Sequence, residues 1–278
     1  MSEFVLVTDS SADLSEEMVQ AIRVPVLPLR FTIQGQTYRN YPDNREMDPA
    51  LFYDMLRAGE LATTAALNPN DFEEALEPYL KDGKDILILA FSSGLSTTFN
   101  SSRLAVEELQ EKYPQRKIYT VDTLCASMGQ GLLVWLAAQK RDTGASIEEV
   151  RDWVEENKLH IMHNVTIDDL FHLHRGGRVS KASAIVGTMI QIKPIIHMDD
   201  HGELKVIGKE RGRKKALTHI VDMAVKQSEG WDNDIVMITH GDCKEDAEFV
   251  ARQVEKKMAP PAAQTSCIMP LSLSLIHI

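Results

Sequence analysis

Hydroxyl side chains recur in the first half of this chain where strand patterns give way to helix patterns: Ser10 and Ser11, Thr63 and Thr64, Ser92, Ser93 and Ser96, and Thr123. Taken one at a time, Ser and Thr at such junctions are ordinary helix caps. Four clusters at equivalent positions ask for more. The strand ends of a parallel sheet converge on one crevice, and hydroxyls beside helix N-terminal N–H groups suit a carboxylate or a phosphate. Gly94 within SSGLS lets the backbone approach such an anion closely. A second chemical feature lies between Leu170 and Arg213. Two basic, glycine-bearing turns, RGGR at 175–178 and ERGR at 210–213, flank an apolar run with almost no charge. Cations at turn glycines beside a segment that must be buried mark the mouth of an apolar pocket that meets something anionic. This is a binding-protein pattern more than an enzyme's.

Sharper chemistries fail on spacing. SMGQGLL offers Gly129 and Gly131 but has Val134 where a dinucleotide fingerprint needs its third small residue, and no G-x-x-x-x-G-K-[ST] occurs. Ser93 sits in no G-x-S-x-G elbow, which argues against a nucleophilic hydrolase. Of nine histidines, His160, His163, His172 and His174 cluster in sequence, but they span a helix-to-strand segment and no acid completes a ligand set. No cofactor and no metal are therefore expected. Cys125, Cys243 and Cys267 form no C-x-x-C pair and fit a reducing compartment.

The 278 residues, 44% hydrophobic and 26% charged, are ordinary globular material and long enough for two cores. A formal net charge of -11 argues against nucleic acid as a partner. No apolar run approaches a membrane span and MSEFVLVTDSSADLS lacks a signal-peptide layout, so a cytoplasmic protein without integral membrane insertion is expected.

Those groups need elements to hold them. FVLVTD reads as a strand, and Asp13 or Ser15 caps the helix of SEEMVQAI. Extended segments follow, broken by Pro25, Pro28 and Gly35, then helices from Asp48-Pro49 and over DFEEALEPYLKDG. DILILAFS reads as a strand buried on both faces, followed by an amphipathic helix, and the unit repeats through KIYTVDT and ASMGQGLLVWLAAQKRDTG. The expected fold class is α/β: an N-terminal domain, residues 1–160, with a mostly parallel sheet, and a C-terminal α+β domain, residues 161–278. The second domain carries a hairpin turning at Asp200 to Gly202, and its last recognisable element is the helix of CKEDAEFVARQVEKK. Beyond Met258 the pattern dissolves. The final stretch of about twenty residues, PLSLSLIHI most of all, is expected to be foreign to the native protein and to stand where a closing strand belongs.

The segments VTDSSADLS, TTAALNPNDF, SSGLSTTFNSS, VDTLCASMGQGLL and, above all, the block from RGGR to KERGR appear in the order found in the DegV family, which residues 3–257 resemble. The resemblance implies a two-domain fold in which a long-chain fatty acid lies in an apolar tunnel between the domains. It further implies a non-enzymatic carrier that presents the ligand's carboxylate to an ATP-dependent fatty acid kinase, acyl phosphate for phospholipid synthesis being the downstream product. Thr64 matches the hydroxyl of the family's T-S-Q-P turn and Ser93 the second serine of its S-S-G-L-S turn, both of which bind the carboxylate. Arg178 and Arg211 match the cationic face on which the kinase docks. Residues of AIVGTMIQI, Met189 among them, would line the tunnel. The chain departs from the pattern at Ala65, Ala66 and Leu67, and lacks the C-terminal G-T-H-x-G-P-G segment; neither His240 nor His277 matches its histidine. The competing reading is an enzyme acting on a small phosphorylated or acyl substrate at the same crevice.

Overall fold

The computed structural model describes residues 4–168, 170–178, 191–231, 235–258 and 267–270. The chain divides into two compact units, Met1–Ile161 and Met162–Ile278.

In the first unit the strands β1 (Phe4–Asp9), β2 (Val26–Leu27), β6 (Asp85–Ala90) and β7 (Ile118–Asp122) form a parallel sheet in the order β2-β1-β6-β7. Every residue of β6 is buried, as a strand covered on both faces requires. Ile86 and Ile88 join Val7 and Ile118 beneath the helices α3 (Pro69–Lys81) and α4 (Thr98–Lys112), against Phe72, Leu76, Ala105 and Leu109. Leu87 and Leu89 point to the opposite face. There α6 (Ile147–Asn157) packs on β6 and β7 and in turn on α5 (Ser127–Asp142), burying Val150 and Val154. Sequence chemistry starts and stops these helices. Ser15 accepts the Met18 N–H at the head of α1 (Glu16–Ile22), Asp48 caps α2 (Pro49–Arg57), and Asn68 with Asp71, like Ser146 with Glu149, forms a reciprocal capping box.

A second, antiparallel sheet, β4-β3-β5, is built from β3 (Arg30–Ile33), β4 (Gln36–Arg39) and β5 (Ala62–Ala65). Gln34 and Gly35 both have positive φ, 50° and 76°, as the two-residue hairpin joining β3 to β4 demands. The sheet is fastened in two places: the Ser10 hydroxyl accepts the Leu29 N–H at 2.9 Å, and Arg30 grips Asp71 of α3 through two hydrogen bonds of 2.9 and 2.6 Å.

The second unit contains an antiparallel sheet, β10-β9-β8, of β8 (Asn164–Val165), β9 (Ile192–Met198) and β10 (Leu204–Arg211). Its other elements are α7 (Leu170–Arg175), α8 (Arg213–Ser228), β11 (Met237–His240), α9 (Lys244–Lys257) and β12 (Cys267–Pro270). Ile195, Leu217, Ile220, Val221, Val250 and Val254 form its core. The hairpin turn is set by Asp199, whose carboxylate accepts the His201 and Glu203 N–H groups while Gly202 takes φ 69°. The sequence pattern ends this unit on a helix, and the structure corrects that: β12 pairs in parallel with β11, Met237 opposite Cys267. Four residues, CIMP, are too few for alternation to show. Ala184 to Ile190, Met189 included, and Leu271 to Ile278 lie outside the described residues.

Candidate functional site

Three of the four hydroxyl clusters stand where a parallel sheet collects its ligands. Ser10 and Ser11 follow β1, Ser92, Ser93 and Ser96 follow β6, and Thr123 follows β7, at the carboxyl ends of three adjacent strands. The fourth does not. Thr63 and Thr64 lie inside β5 of the antiparallel sheet, with Thr64 opposite Phe31. The Thr-Thr-Ala-Ala run reads equally as a strand end or a strand, so its place was not legible. Thr64 is half-buried on the face it shares with buried Phe31 and Ile33, whereas Ser93 is exposed on its turn. The two therefore come from different sheets of one unit.

Apart from Ser96, these hydroxyls are not plain helix caps. The Thr123 hydroxyl donates to the Ala90 carbonyl at 2.7 Å, tying the end of β7 to the end of β6, and accepts the Cys125 N–H. The Ser92 hydroxyl accepts the Gly94 N–H at 3.1 Å and its own N–H reaches the Cys125 carbonyl, folding the SSGLS turn back over the sheet. Thr97 and Ala126, which precede α4 and α5, make no side-chain cap. The Ser96 hydroxyl accepts the Thr98 N–H at 3.2 Å, and the first turns of both helices stand at the strand ends, where the helix dipole favours negative charge.

Carboxylates hold this end of the sheet. Asp122 accepts the Ser93 N–H at 3.1 Å and the Leu124 N–H at 3.2 Å, and its carbonyl accepts from the Lys158 ammonium at 2.9 Å. Asp9, wholly buried, accepts from Ser11, Phe91 and Gln130; burial pushes its carboxyl above the usual range while those donors pull it down. The Ser127 hydroxyl donates to Asp13 at 2.5 Å, and both residues, with Leu124, carry positive φ. Left-handed non-glycine residues concentrated at one end of a sheet are the kind of strain found at binding sites. The Asp carboxylates were missed in the sequence, Asp13 having been weighed only as a cap. For Asp9 and Asp122 the signal is their place as the acid that ends a hydrophobic strand run.

Gly131 is explained without a nucleotide. A Cβ there would stand 2.5 Å from the Ala12 carbonyl oxygen, so the glycine lets α5 sit against the Ser10–Ala12 turn. Cys125, fully buried, has its thiol pushed far up by desolvation, which removes it as a nucleophile. Among the described residues no His, Cys, Asp or Glu cluster is arranged to hold a metal ion, and no helix is long and apolar enough to cross a membrane.

In the second unit the RGGR turn closes α7. Gly177, at φ 77°, donates to the His174 carbonyl and Arg178 N–H to the Leu173 carbonyl, the double bond of a left-handed helix stop. Arg178 is half-buried, donates to the Gly176 carbonyl, and is pushed down in pKa by desolvation. In the ERGR turn the two arginines part. Arg211 is exposed at the end of β10, while Arg213 is withdrawn, donating to Asp246 at 2.7 Å and to the Thr166 carbonyl at 3.4 Å.

Residues 3–274 match the sequence family described as uncharacterised protein, DegV family. A DegV domain-containing protein of Clostridium perfringens is 44% identical over 257 residues, covering 92% of this chain and 88% of its own length. Among solved structures, a fatty-acid-binding DegV family protein from Thermus thermophilus superposes with a TM-score of 0.85 at 27% identity, covering 100% of this chain and 96% of that one. The fatty acid binding protein DegV from Bacillus subtilis does so with a TM-score of 0.79 at 26% identity, covering 97% and 92%.

Proposed function

This chain belongs to the DegV family and has its fold, and we propose that it is a carrier that binds a long-chain fatty acid and presents the carboxylate to an ATP-dependent fatty acid kinase. Acyl phosphate for phospholipid synthesis would be the product of that partner. The observation that carries the reading is the SSGLS turn at the carboxyl end of β6, which runs straight into α4, with the Ser96 hydroxyl on the Thr98 N–H and no side-chain cap from Thr97. In it Ser93 supplies an exposed hydroxyl and the first turn of the helix supplies oriented N–H groups. Solved relatives described as binding fatty acid support the same reading.

The energetics divide between tail and head. Burying an acyl chain yields about 0.8 kcal/mol per methylene, so about sixteen carbons offer roughly 10 kcal/mol before ordering costs. The head group adds orientation. A carboxylate leaving water must be hydrogen-bonded, and Ser93, Thr64 and a helix start would do this without a full counter-charge. Arg178 and Arg211 are the cations proposed to meet the kinase. The carrier itself performs no chemistry.

The test is extraction of the purified protein under denaturing conditions with mass spectrometry of the released lipids, for wild type and for Thr64→Ala/Ser93→Ala. Near-stoichiometric fatty acid in the wild type, reduced in the double variant, is expected. A folded wild-type protein that carries no lipid and takes up none when fatty acid is added would overturn the proposal.

A further inference from the structure

The turn that carries Ser93 is held by a side chain buried at the end of β1. Asp9, the last residue of β1, is 1% exposed, and its two oxygens are shared out among three segments. Oδ1 accepts the Ser11 N–H at 2.9 Å, and Oδ2 accepts the Phe91 N–H at 2.8 Å and the Gln130 side-chain N–H at 3.4 Å. Phe91 leads directly into Ser92 and Ser93, and Gln130, fully buried, lies in the first turn of α5. One carboxyl thus joins the turn after β1, the turn after β6 and the head of α5.

The orientation of Gln130 is fixed independently. The Thr8 hydroxyl donates to the Leu89 carbonyl at 2.7 Å, so it must accept from Gln130, whose amide nitrogen stands 3.0 Å away. This leaves the Gln130 amide oxygen buried with no hydrogen-bond partner. A buried carboxyl beside an orphaned amide oxygen is a costly way to close a sheet end, and an apolar pair would be cheaper were closure all that mattered. The Ser93 side of the turn is pinned from the neighbouring strand as well, by Asp122. Backbone N–H groups secured from two directions describe a turn whose conformation is set in advance of binding.

We propose that Asp9 is the positioning residue for head-group recognition: by fixing the Ser11 and Phe91 N–H groups it presets the Ser93 turn for a carboxylate, and so discriminates a fatty acid from an uncharged lipid of the same length. The inference rests on the reading that the carboxylate binds at Ser93. Buried as it is, Asp9 acts through the turn. An asparagine in its place keeps the shape but sets an N–H group against either Ser11 or Phe91, donor against donor, so one of the two links is lost.

The experiment compares wild type and Asp9→Asn, after removal of any bound lipid, for binding of palmitic acid and of hexadecanol. Expected is a loss of about tenfold for the acid, the equivalent of one hydrogen bond, with the alcohol changed by less than about threefold. Equal weakening for both ligands overturns the inference, since mere loosening of the fold affects tail and head alike. A wild type that binds the acid no better than the alcohol overturns the carboxylate reading beneath it. Should the variant fail to fold, the proton–nitrogen correlation spectrum of the wild type gives the answer without substitution. On acidification the Ser11 and Phe91 amide signals should move together with a single midpoint, as two donors to one carboxyl must. Independent movement would refute the shared clamp.

Discussion

Replacing Gly131 by alanine sets helix propensity against packing, and the two forecast opposite signs. In an exposed helix interior the change stabilises by about 1 kcal/mol, because glycine loses more freedom on folding. Gly131 is buried, and the added carbon would stand 2.5 Å from the Ala12 carbonyl oxygen and 3.1 Å from both Leu14 Cδ2 and Met128 Sδ. A flexible side chain could yield, but the nearest atom is backbone, in the Ser10–Ala12 turn that follows Asp9. Overpacking costs about 1–3 kcal/mol, and a backbone contact this short belongs at the upper end. Subtracting the propensity gain leaves about 2 kcal/mol of destabilisation, or about 4–8 °C in Tm for a unit of this size. Urea unfolding followed by tryptophan fluorescence is the assay. Trp135 on α5 and Trp153 on α6 report the first unit, and Trp231 the second. A midpoint that is unchanged or raised would refute the seating of α5 on that turn.

The Arg30–Asp71 pair predicts an acid-side stability slope. The Arg30 guanidinium, and after it the Asn68 N–H, hold the Asp71 carboxyl below the usual carboxylate range. Its contribution is therefore fully present above about pH 4, the unfolded-state value, and is lost as pH falls through the lowered titration in the folded protein. Asp71→Asn should cost about 1–3 kcal/mol at pH 7 and remove that slope from a plot of urea midpoint against pH; an identical slope in the variant would count against the pair. In the second unit, Arg213→Ala should cost about 2 kcal/mol, because it strips Asp246 and the Thr166 carbonyl of their donor. Arg211→Ala, at an exposed strand end, should stay within about 0.5 kcal/mol, and thermal melts monitored at Trp231 separate the two.

How much of this was legible before folding depends on how local each signal is. The buried run DILILA, the helix starts at Ser15 and Asp48 and the turn at Gly35 are contained within a few residues, and the structure has them all. Thr63 and Thr64 were misplaced because whether a strand joins a parallel or an antiparallel sheet is set by its neighbours. Here those are Ile33, Phe31 and Thr32, about thirty residues earlier. The clamp at Asp9 was illegible for the same reason: it becomes visible only when Phe91, 82 positions away, is brought to 2.8 Å. The glycines of SMGQGLL failed as a nucleotide motif on spacing, but the positive reason for Gly131, contact with Ala12, is again a long-range one.

The basic turns show why residue type alone overstates a charged surface. Of the four arginines in RGGR and ERGR, Arg213 is spent within its own unit on Asp246, and the glycines answer to backbone demands first. Gly177 at φ 77° stops α7, and Gly212 at φ 93° turns β10 into α8. Arg178 is different again. Half-withdrawn from water, it has its pKa pushed down by desolvation alone, and it reaches back to the carbonyl of Gly176, whose missing Cβ leaves room for the guanidinium. An arginine held in that way is partly desolvated in advance, so an acidic group brought to it by a partner would have less water left to displace than at freely hydrated Arg211. The two positions should then differ in kind when an acidic partner binds. Arg178→Ala would mainly speed dissociation, whereas Arg211→Ala would mainly slow association and weaken its dependence on salt.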